Sequence, residues 1–366
     1  MTSPRALIMA GGTGGHVYPA LAVAEELRNR GWLVDWMGTN RGLEARVVPS
    51  HRFTLHALPV SGLRGKRIIG RIQGLLRLLS ALFTALGLMN SLRPQVVLGM
   101  GGYAAGPGGI AAYLLRRPLV IHEQNAIAGT TNRLLAPLAK RLLSGLPGPF
   151  VDERHAELTG NPLRRDLERA EALDVPAEFT VERPLRLLVL GGSLGSLPLN
   201  RGVPVALGTL DDGQRSRITV IHQCGEQHLE ITRQAYRDNG INNADIRPFI
   251  EEMAAAYAGA DLVICRSGAL TVSELASQRR PAILVPLPHA IDDHQTANAR
   301  TLAAIGAAQL LPQSRLAAGD LERFLVGYLD SPGRLAAMSS AAATLGSSSA
   351  TCKVADILEE VANERR

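Results

Sequence analysis

The sequence has few cysteines and few aromatic residues, and each shortage argues against a class of protein. The three cysteines, Cys224, Cys265 and Cys352, lie far apart and form no C-x-x-C pair, which argues against a zinc site or a disulfide framework and predicts a reducing cytosol. Aromatic residues make up only 4% of the chain, so the platforms on which RNA-binding sheets stack bases are missing. The net charge of +6 therefore favours nucleotide phosphates or an anionic membrane over nucleic acid.

The sequence also lacks a signal-peptide pattern and a clear membrane span. The most apolar stretch, residues 68–89, is interrupted by charge, whereas a spanning helix needs about 20 nearly uncharged residues. Two interpretations stay open: a core helix, or a partly exposed apolar face over residues 64–83 that docks on anionic lipid. The basic residues around this stretch are Arg64, Lys66, Arg67, Arg71 and Arg77.

A weak internal repeat predicts the fold. Residues 6–15 (ALIMAGGTGG) are matched by residues 187–196 (LLVLGGSLGS). Each segment has an apolar run short enough for a buried parallel strand, then a glycine-rich turn, then a helical pattern. Two such openings in a chain of 366 residues predict an α/β protein with two Rossmann-like domains.

The domain boundary is predicted at a charged, proline-containing stretch that begins at residue 164. Residues 1–163 form the first domain and residues 164–345 the second, and a terminal helix over 351–366 could pack back on the first domain. Further strands are expected over 34–38, 96–100, 118–122, 186–190, 218–222, 262–265 and 282–285. Ligands of such folds bind beyond the carboxyl ends of the parallel strands.

The first glycine-rich turn, residues 11–16 (GGTGGH), is suited to an anion, because small residues let backbone N–H groups and a helix start approach it closely. The turn is not a G-x-G-x-x-G fingerprint, since Val17 stands at the third glycine position. Asp35 could still imitate the ribose-binding acid of a dinucleotide fold, so an NAD(P) enzyme stays open. His16 is either a structural histidine or, with a reference pKa near 6.5, a general base.

The sequence offers no metal motif. Residues 122–125 (HEQN) resemble half of H-E-x-x-H, but Ala126 stands where the second histidine would be. A D-x-D motif is missing as well, because Asp211-Asp212 and Asp292-Asp293 are adjacent pairs. We therefore expect neither a metal nor another cofactor.

The second half carries candidate donor-binding residues. Ser193 in the second glycine-rich turn can meet a phosphate, and Arg164 could neutralise a diphosphate, although a surface arginine is the ordinary interpretation. Residues 265–275 (CRSGALTVSEL) place Glu274 one turn inside a helix, where a carboxylate can accept hydrogen bonds from both ribose hydroxyls. Residues 292–298 (DDHQTAN) supply the amide and acid groups that a sugar requires.

Seven motifs in this order make the chain resemble the MurG-type N-acetylglucosaminyltransferases of peptidoglycan synthesis. They cover nearly the whole sequence and comprise residues 11–16 (GGTGGH), 61–65 (SGLRG), 99–103 (GMGGY), 122–125 (HEQN), 160–164 (GNPLR), 266–271 (RSGALT) and 294–299 (HQTANA).

The resemblance implies a GT-B fold, with two parallel-sheet domains facing across a cleft, and a metal-independent inverting transfer. The donor would be UDP-N-acetylglucosamine, and the acceptor would be undecaprenyl-diphospho-muramyl pentapeptide, through its C4 hydroxyl. The enzyme would act as a peripheral protein at the cytoplasmic face of the bacterial inner membrane, with other cell-wall synthesis proteins as potential partners. The first domain would take the acceptor and the second the UDP-sugar.

The resemblance also assigns residues by matching position. His16 would be the catalytic base, Arg164 and Ser193 would meet the diphosphate, and the Ile250 backbone would read the uracil edge. Glu274 would bind the ribose. The remaining contacts to UDP-N-acetylglucosamine would come from both domains. Those of the first domain, which would meet donor or acceptor, are Thr13, Gly14, Gly15 and Asn125. Those between sugar and ribose are Ala269, Leu270, Thr271, Val272 and Ser273, and the glucosamine hydroxyls would be held by Gln295 and Asn298.

One position departs from the family pattern. Leu194 stands where the family carries glutamine after the serine of the second turn, so a side-chain contact to diphosphate there is in doubt while the backbone amides remain.

Three other functions remain as alternatives. They are a GT-B enzyme with a different lipid or glycan acceptor, an oxidoreductase, and a non-catalytic nucleotide-sugar-binding protein.

Overall fold

A computed structural model of the chain describes residues 3–59, 68–150, 153, 155–169, 176, 178–288, 290–316, 319–346 and 349–364. The chain divides into two units, which we call the first unit (Met1–Arg165 with Ser349–Arg366) and the second unit (Asp166–Ser348). Of the predicted membrane-docking residues, Arg64, Lys66, Arg67 and the side chain of Arg71 lie outside the described part.

The first unit is built on a parallel sheet whose described strands are β1 (Arg5–Met9), β2 (Leu33–Gly38), β3 (Thr54–Ala57), β4 (Val96–Gly99), β5 (Leu119–Glu123), β6 (Arg141–Ser144) and β7 (Ala156–Leu158). Their order is β3-β2-β1-β4-β5-β6-β7. Successive strands are therefore added toward one edge of the sheet from β1 to β3 and toward the other edge from β4 to β7, and this switch point lies between β1 and β4. Ligands of open parallel sheets bind beyond the strand ends at such a point.

The helices that pack on this sheet are α1 (Gly14–Asn29), α2 (Glu44–Ser50), α3 (Ile68–Leu92), α4 (Ala105–Leu114) and α5 (Thr130–Leu135). Most central strand residues are fully buried, because helices cover both faces and leave no polar side to the strands. None of the helices in the described part of the chain is both long enough and apolar enough to cross a bilayer.

The second unit repeats this plan. Its described helices are α6 (Arg165–Arg169), α7 (Leu197–Gly208), α8 (Asp212–Ser216), α9 (Leu229–Asp238), α10 (Met253–Ala258), α11 (Ala269–Ser277), α12 (His294–Ala304), α13 (Asp320–Asp330) and α14 (Gly333–Ala342). Its parallel strands are β8 (Leu185–Leu190), β9 (Ile218–Gln223), β10 (Asp245–Arg247), β11 (Leu262–Cys265), β12 (Ala282–Leu284) and β13 (Ala308–Leu310), in the order β10-β9-β8-β11-β12-β13.

The last helix, α15 (Ala350–Asn363), returns to the first unit and packs against α1. Its apolar side, including Val354 and Leu358, is fully buried in the same cluster as the central strands. Polar contacts fix its position, because Arg30 pairs with Asp356 and Glu359 at 2.6 and 3.0 Å. The first unit is therefore completed by residues from the far end of the chain.

The predicted parallel α/β architecture with two Rossmann-like domains is confirmed. The strands that the sequence did not reveal are β3, β6, β7, β10 and β13. These strands have only three or four residues, and β3, β7 and β10 expose much of their length, so their apolar pattern is weak.

Candidate active site

The turn between β1 and α1 is shaped by backbone contact with the loop after β4. Gly102 has a φ of +87°, and a Cβ added to it would lie 2.5 Å from the carbonyl oxygen of Gly11. A side chain would therefore force the two segments apart. The N–H groups at the start of α1, which include those of the predicted binding residues Gly14 and Gly15, follow this turn directly.

His16 lies in the first turn of α1 and is half-buried. A Cβ added to Gly101 would lie 3.1 Å from His16 Nε2 and 3.7 Å from Asn132 Nδ2. The structure thus places the predicted base beside the end of β4, near the amide of Asn132.

Glu123, at the end of β5, is a buried carboxylate whose oxygens accept several hydrogen bonds. Oε1 accepts from the backbone N–H and the side-chain amide of Asn125, both at 3.0 Å. Oε2 accepts from Gly129 N and Asn132 Nδ2, both at 2.9 Å. Because these donors occupy both oxygens and orient Asn125, Glu123 is better placed to position the site than to accept a proton from the acceptor.

His122, the residue before Glu123 in β5, also supports the loop that follows this strand. Its Nε2–H donates to the Gly160 carbonyl at 3.1 Å, and its Nδ1 accepts from Gln124 Nε2 at 3.2 Å. Asn161 in turn donates to the Gln124 carbonyl at 3.0 Å. Both ring nitrogens are therefore used within the fold, which leaves neither for a metal ion. These hydrogen bonds connect two of the seven motifs, residues 122–125 and residues 160–164, which lie far apart in the sequence.

The second glycine-rich turn, between β8 and α7, repeats the backbone contact of the first. Gly195 has a φ of +76°, and a Cβ added there would lie 1.8 Å from the carbonyl oxygen of Cys224. Ser193 is exposed at the turn, and the Leu194 side chain is 85% exposed. The side chain of this leucine, which departs from the family pattern, therefore lies in solvent and does not pack in the core.

Gln223, at the end of β9, connects this turn to the predicted uracil-reading segment. Its side-chain Nε2 donates to the Gly192 carbonyl at 3.0 Å, and its Oε1 accepts from Ile250 N at 2.9 Å. The backbone N–H of Ile250 is thus engaged within the protein in this structure. Gln223 is not among the residues predicted from the sequence, because a glutamine at a strand end carries no signal until its partners are known.

The Ser267-Gly268 turn before α11 is held from α12. Ser267 Oγ donates to the Gln295 carbonyl at 2.8 Å, and Asn298 Nδ2 donates to the Ser267 carbonyl at 3.1 Å. Asn298 is fully buried, so its position favours support of the turn, and the direct sugar contact stays a prediction. Gln295 is half-buried, and its Oε1 accepts from Leu287 N at 2.9 Å.

Glu274 lies on α11 and is half-buried. Its Oε2 accepts a hydrogen bond from the hydroxyl of the fully buried Tyr257 at 2.9 Å, which fixes the carboxylate against the core. Tyr257 is a further residue that the sequence did not reveal.

Each unit gathers its candidates at the carboxyl edge of its own sheet. In the first unit, residues 13–16 follow β1 and Asn125 follows β5. In the second unit, Ser193, Ile250 and residues 269–274 follow β8, β10 and β11. Arg164 is exposed near the end of the first unit. We call each of these sets of backbone N–H groups and polar side chains a candidate half-site of its own unit.

Comparison with known proteins gives this arrangement a family. The model of the glycosyltransferase family 28 N-terminal domain matches residues 6–144, and that of the C-terminal domain matches residues 186–360. A relative from Alkalilimnicola ehrlichii, named UDP-N-acetylglucosamine--N-acetylmuramyl-(pentapeptide) pyrophosphoryl-undecaprenol N-acetylglucosamine transferase, is 55% identical over 98% of this chain and 99% of its own. The chain belongs to the MurG family of glycosyltransferases. A relative of the same name from Stutzerimonas stutzeri is 52% identical over 98% of each chain.

A solved structure agrees with the sequence relatives. The crystal structure of Acinetobacter baumannii MurG aligns with a TM-score of 0.82 and 38% identity, covering 98% of this chain and 99% of that one. The chain is thus an enzyme with a GT-B fold, and the family predicted from the seven motifs is confirmed.

Two fully buried histidines, one in each unit, make stability depend on pH. Burial lowers the pKa of His122 to about 4 and that of His222 to about 3. The unfolded chain protonates its histidines near pH 6.5, so it binds more protons than the folded chain below that pH. Each ring therefore contributes its full stability above pH 6.5 and loses it as the pH falls toward the folded pKa.

We expect the free energy of unfolding to fall by about 2 kcal/mol per histidine between pH 7.5 and pH 5, as measured by denaturant titration. His122→Gln should remove the contribution of this one histidine and flatten the pH dependence of the free energy of unfolding by that amount. A variant that folds and shows the same pH dependence as the parent chain would contradict this account of His122.

Proposed function

We propose that this chain transfers N-acetylglucosamine from UDP-N-acetylglucosamine to the C4 hydroxyl of undecaprenyl-diphospho-N-acetylmuramoyl pentapeptide, with inversion at the anomeric carbon. The observation that carries the proposal is the 55% identity over 98% of the chain to a relative named for this transfer. The product is a disaccharide-pentapeptide on the lipid carrier, the unit from which peptidoglycan is built.

The second unit is suited to the donor. In this proposal the start of α7 and Ser193 meet the diphosphate. The backbone of Ile250 reads the uracil edge through its carbonyl oxygen, because its N–H is bound to Gln223. Glu274, held by Tyr257, accepts hydrogen bonds from the ribose hydroxyls. Residues 269–273 span from sugar to ribose, and Gln295 binds the glucosamine hydroxyls. Fixed N–H groups at a helix start stabilise a diphosphate without an added cation.

The first unit is suited to the acceptor. Thr13, Gly14, Gly15 and Asn125 provide polar groups at the carboxyl edge of its sheet, beside His16. The reaction passes through an oxocarbenium-like state, in which the acceptor hydroxyl loses a proton while the UDP gains charge. His16 removes the proton in this proposal, and Arg164 together with the helix starts disperses the charge of the departing diphosphate.

Transfer of radiolabelled sugar tests the function as a whole. The purified chain should move label from UDP-N-acetylglucosamine to a lipid-linked muramyl-pentapeptide acceptor and release UDP in equal amount. UDP-sugars should also raise the melting temperature, while NAD(P) should not. Binding of UDP-sugar without transfer would contradict the proposal and indicate a non-catalytic binding protein. Transfer to a different acceptor alone would indicate a GT-B enzyme with another substrate.

Removal of the Glu274 carboxylate should weaken the donor half-site. Glu274→Ala leaves the ribose hydroxyls without their acceptor, so UDP affinity should fall by about 1.5–3 kcal/mol, the range for hydrogen bonds to charged groups. Calorimetry measures this directly. Glu230→Ala, which removes an exposed glutamate of the same unit, should bind UDP as the parent chain does. Unchanged UDP binding by a folded Glu274→Ala variant would exclude the ribose role.

Removal of the His16 imidazole should slow the chemical step. A general base typically contributes about 10²–10⁴-fold, so His16→Ala should lower kcat by that factor and leave UDP binding nearly intact. The acidic limb of the pH–rate profile should vanish with it. His51→Ala, which removes an exposed histidine of the same unit, is the control. A higher KM with a milder loss of kcat would instead assign His16 to acceptor orientation.

Peripheral attachment to the membrane is part of the proposal. On α3 the exposed side chains of Leu76, Leu79 and Phe83 share one helix face, since they are three to four residues apart. The neighbouring α4 exposes Tyr113 and Leu114. Arg116, Arg117 and Lys140 lie together with Tyr113 around one recess of the first unit, where Glu364 pairs with Lys140 and leaves a net positive charge. An apolar face beside cations is suited to an anionic lipid surface.

Liposome sedimentation tests this attachment. The protein should sediment with anionic vesicles and be released by salt, because attraction between exposed charges is screened beyond about 8–10 Å. Phe83→Asp should weaken sedimentation, since Phe83 is 71% exposed on this face, whereas Leu158→Asp, at an exposed leucine of β7, should not. Equal and salt-insensitive recovery with neutral vesicles would contradict the proposal.

A further inference from the structure

Glu44, the first residue of α2, is a fully buried carboxylate that no step of the proposed reaction uses. Its Oε2 accepts a hydrogen bond from the backbone N–H of Gly12 at 2.9 Å. Its Oε1 accepts from the backbone N–H and the hydroxyl of Thr39, at 3.0 and 2.6 Å. The carboxylate therefore joins the first glycine-rich turn to the loop after β2.

Three glycines make the space that Glu44 fills. A Cβ added to Gly11, Gly38 or Gly42 would lie 2.5, 2.8 or 2.0 Å from the nearest atom of the Glu44 side chain. Contacts below 3 Å cannot be accommodated without movement of the carboxylate. Because Gly11, Gly38 and Gly42 have no side chains, they leave the space in which the Glu44 side chain is buried.

Burial of a carboxylate is unfavourable unless hydrogen bonds replace its hydration, and an apolar side chain would fill such a space at lower cost. The donors that the described part of the chain provides to Glu44 are neutral, and the start of α2 adds a favourable dipole. The Glu44 carboxylate costs free energy to bury and is bound to the backbone N–H of Gly12. Its presence indicates that the backbone conformation of the first glycine-rich turn is important for function.

We infer that Glu44 is a positioning residue that sets the first glycine-rich turn for the diphosphate of the lipid-linked acceptor. It draws the N–H of Gly12 inward, while Gly102 packs against Gly11 from the loop after β4. With Gly12 fixed, the N–H groups of Gly14 and Gly15 at the start of α1 are fixed as well. The first turn of α1 carries no acidic side chain, so its positive end is left for an anion.

This inference rests on the proposed assignment of the first unit to the acceptor. It predicts an effect on one substrate alone, because the donor groups lie in the second unit and share no hydrogen bond with Glu44 among the described contacts. If Glu44 contributed only to stability, its substitution would not raise the KM of the acceptor while leaving the KM of the donor unchanged.

The test is steady-state kinetics of the full chain with UDP-N-acetylglucosamine and a lipid-linked muramyl-pentapeptide acceptor. Glu44→Gln keeps the size of the side chain but turns an NH₂ group toward one of its former N–H donors. We expect the KM for the acceptor to rise about tenfold, while the KM for the donor changes less than twofold. Glu157→Gln is the matched control: it makes the same exchange at an exposed glutamate of the same unit, so both KM values should stay within twofold.

Glu44→Asp provides a second variant if Glu44→Gln does not fold, because the shorter carboxylate keeps its charge but cannot reach Gly12 and Thr39 together. A selective rise in acceptor KM in either variant supports the inference. Folded variants with both KM values unchanged, or with both raised equally, overturn it and leave the proposed function intact. A rise in donor KM alone overturns the assignment of this turn to the acceptor. Failure of the parent chain to transfer sugar would instead contradict the proposed function.

Discussion

Close contact between backbone segments is the constraint on which both half-sites depend. Gly102 meets Gly11 in the first unit and Gly195 meets Cys224 in the second, at distances that leave no space for a Cβ. Because these contacts fix the turns that precede α1 and α7, the N–H groups at both helix starts have set directions before any ligand arrives. Amides that need no reorganisation stabilise a developing charge better than flexible side chains do.

Buried polar side chains extend this fixed geometry away from the turns. Gln223 joins Gly192 to Ile250, Tyr257 holds Glu274, and Glu123 holds Asn125. Gln223 and Glu123 are the last residues of β9 and β5, whereas Tyr257 on α10 holds Glu274 on α11. The half-sites are therefore supported both from the strand ends and from the neighbouring helices. In the part of the chain that the structure describes, no three His, Cys, Asp or Glu side chains are grouped as metal ligands would be.

The sequence revealed the repeated elements better than the connections between them. The long buried strands β1 and β8 with their glycine-rich turns were predicted because apolar runs and glycines are local signals. Short strands such as β10, and supporting residues such as Glu44 and Gln223, could not be predicted in this way. A glutamate at a helix start or a glutamine at a strand end looks solvated until the distant backbone groups that it binds are known. The roles of the site residues came from the family resemblance.

Metal dependence of the transfer tests the central claim most directly, which is that fixed backbone N–H groups and Arg164 take the place of a divalent cation at the departing diphosphate. The rate of labelled N-acetylglucosamine transfer to the lipid-linked acceptor should be measured in excess EDTA and again with added Mg²⁺ or Mn²⁺. The account predicts the same rate in all three conditions. Loss of transfer in EDTA, with recovery on addition of either ion, would contradict it.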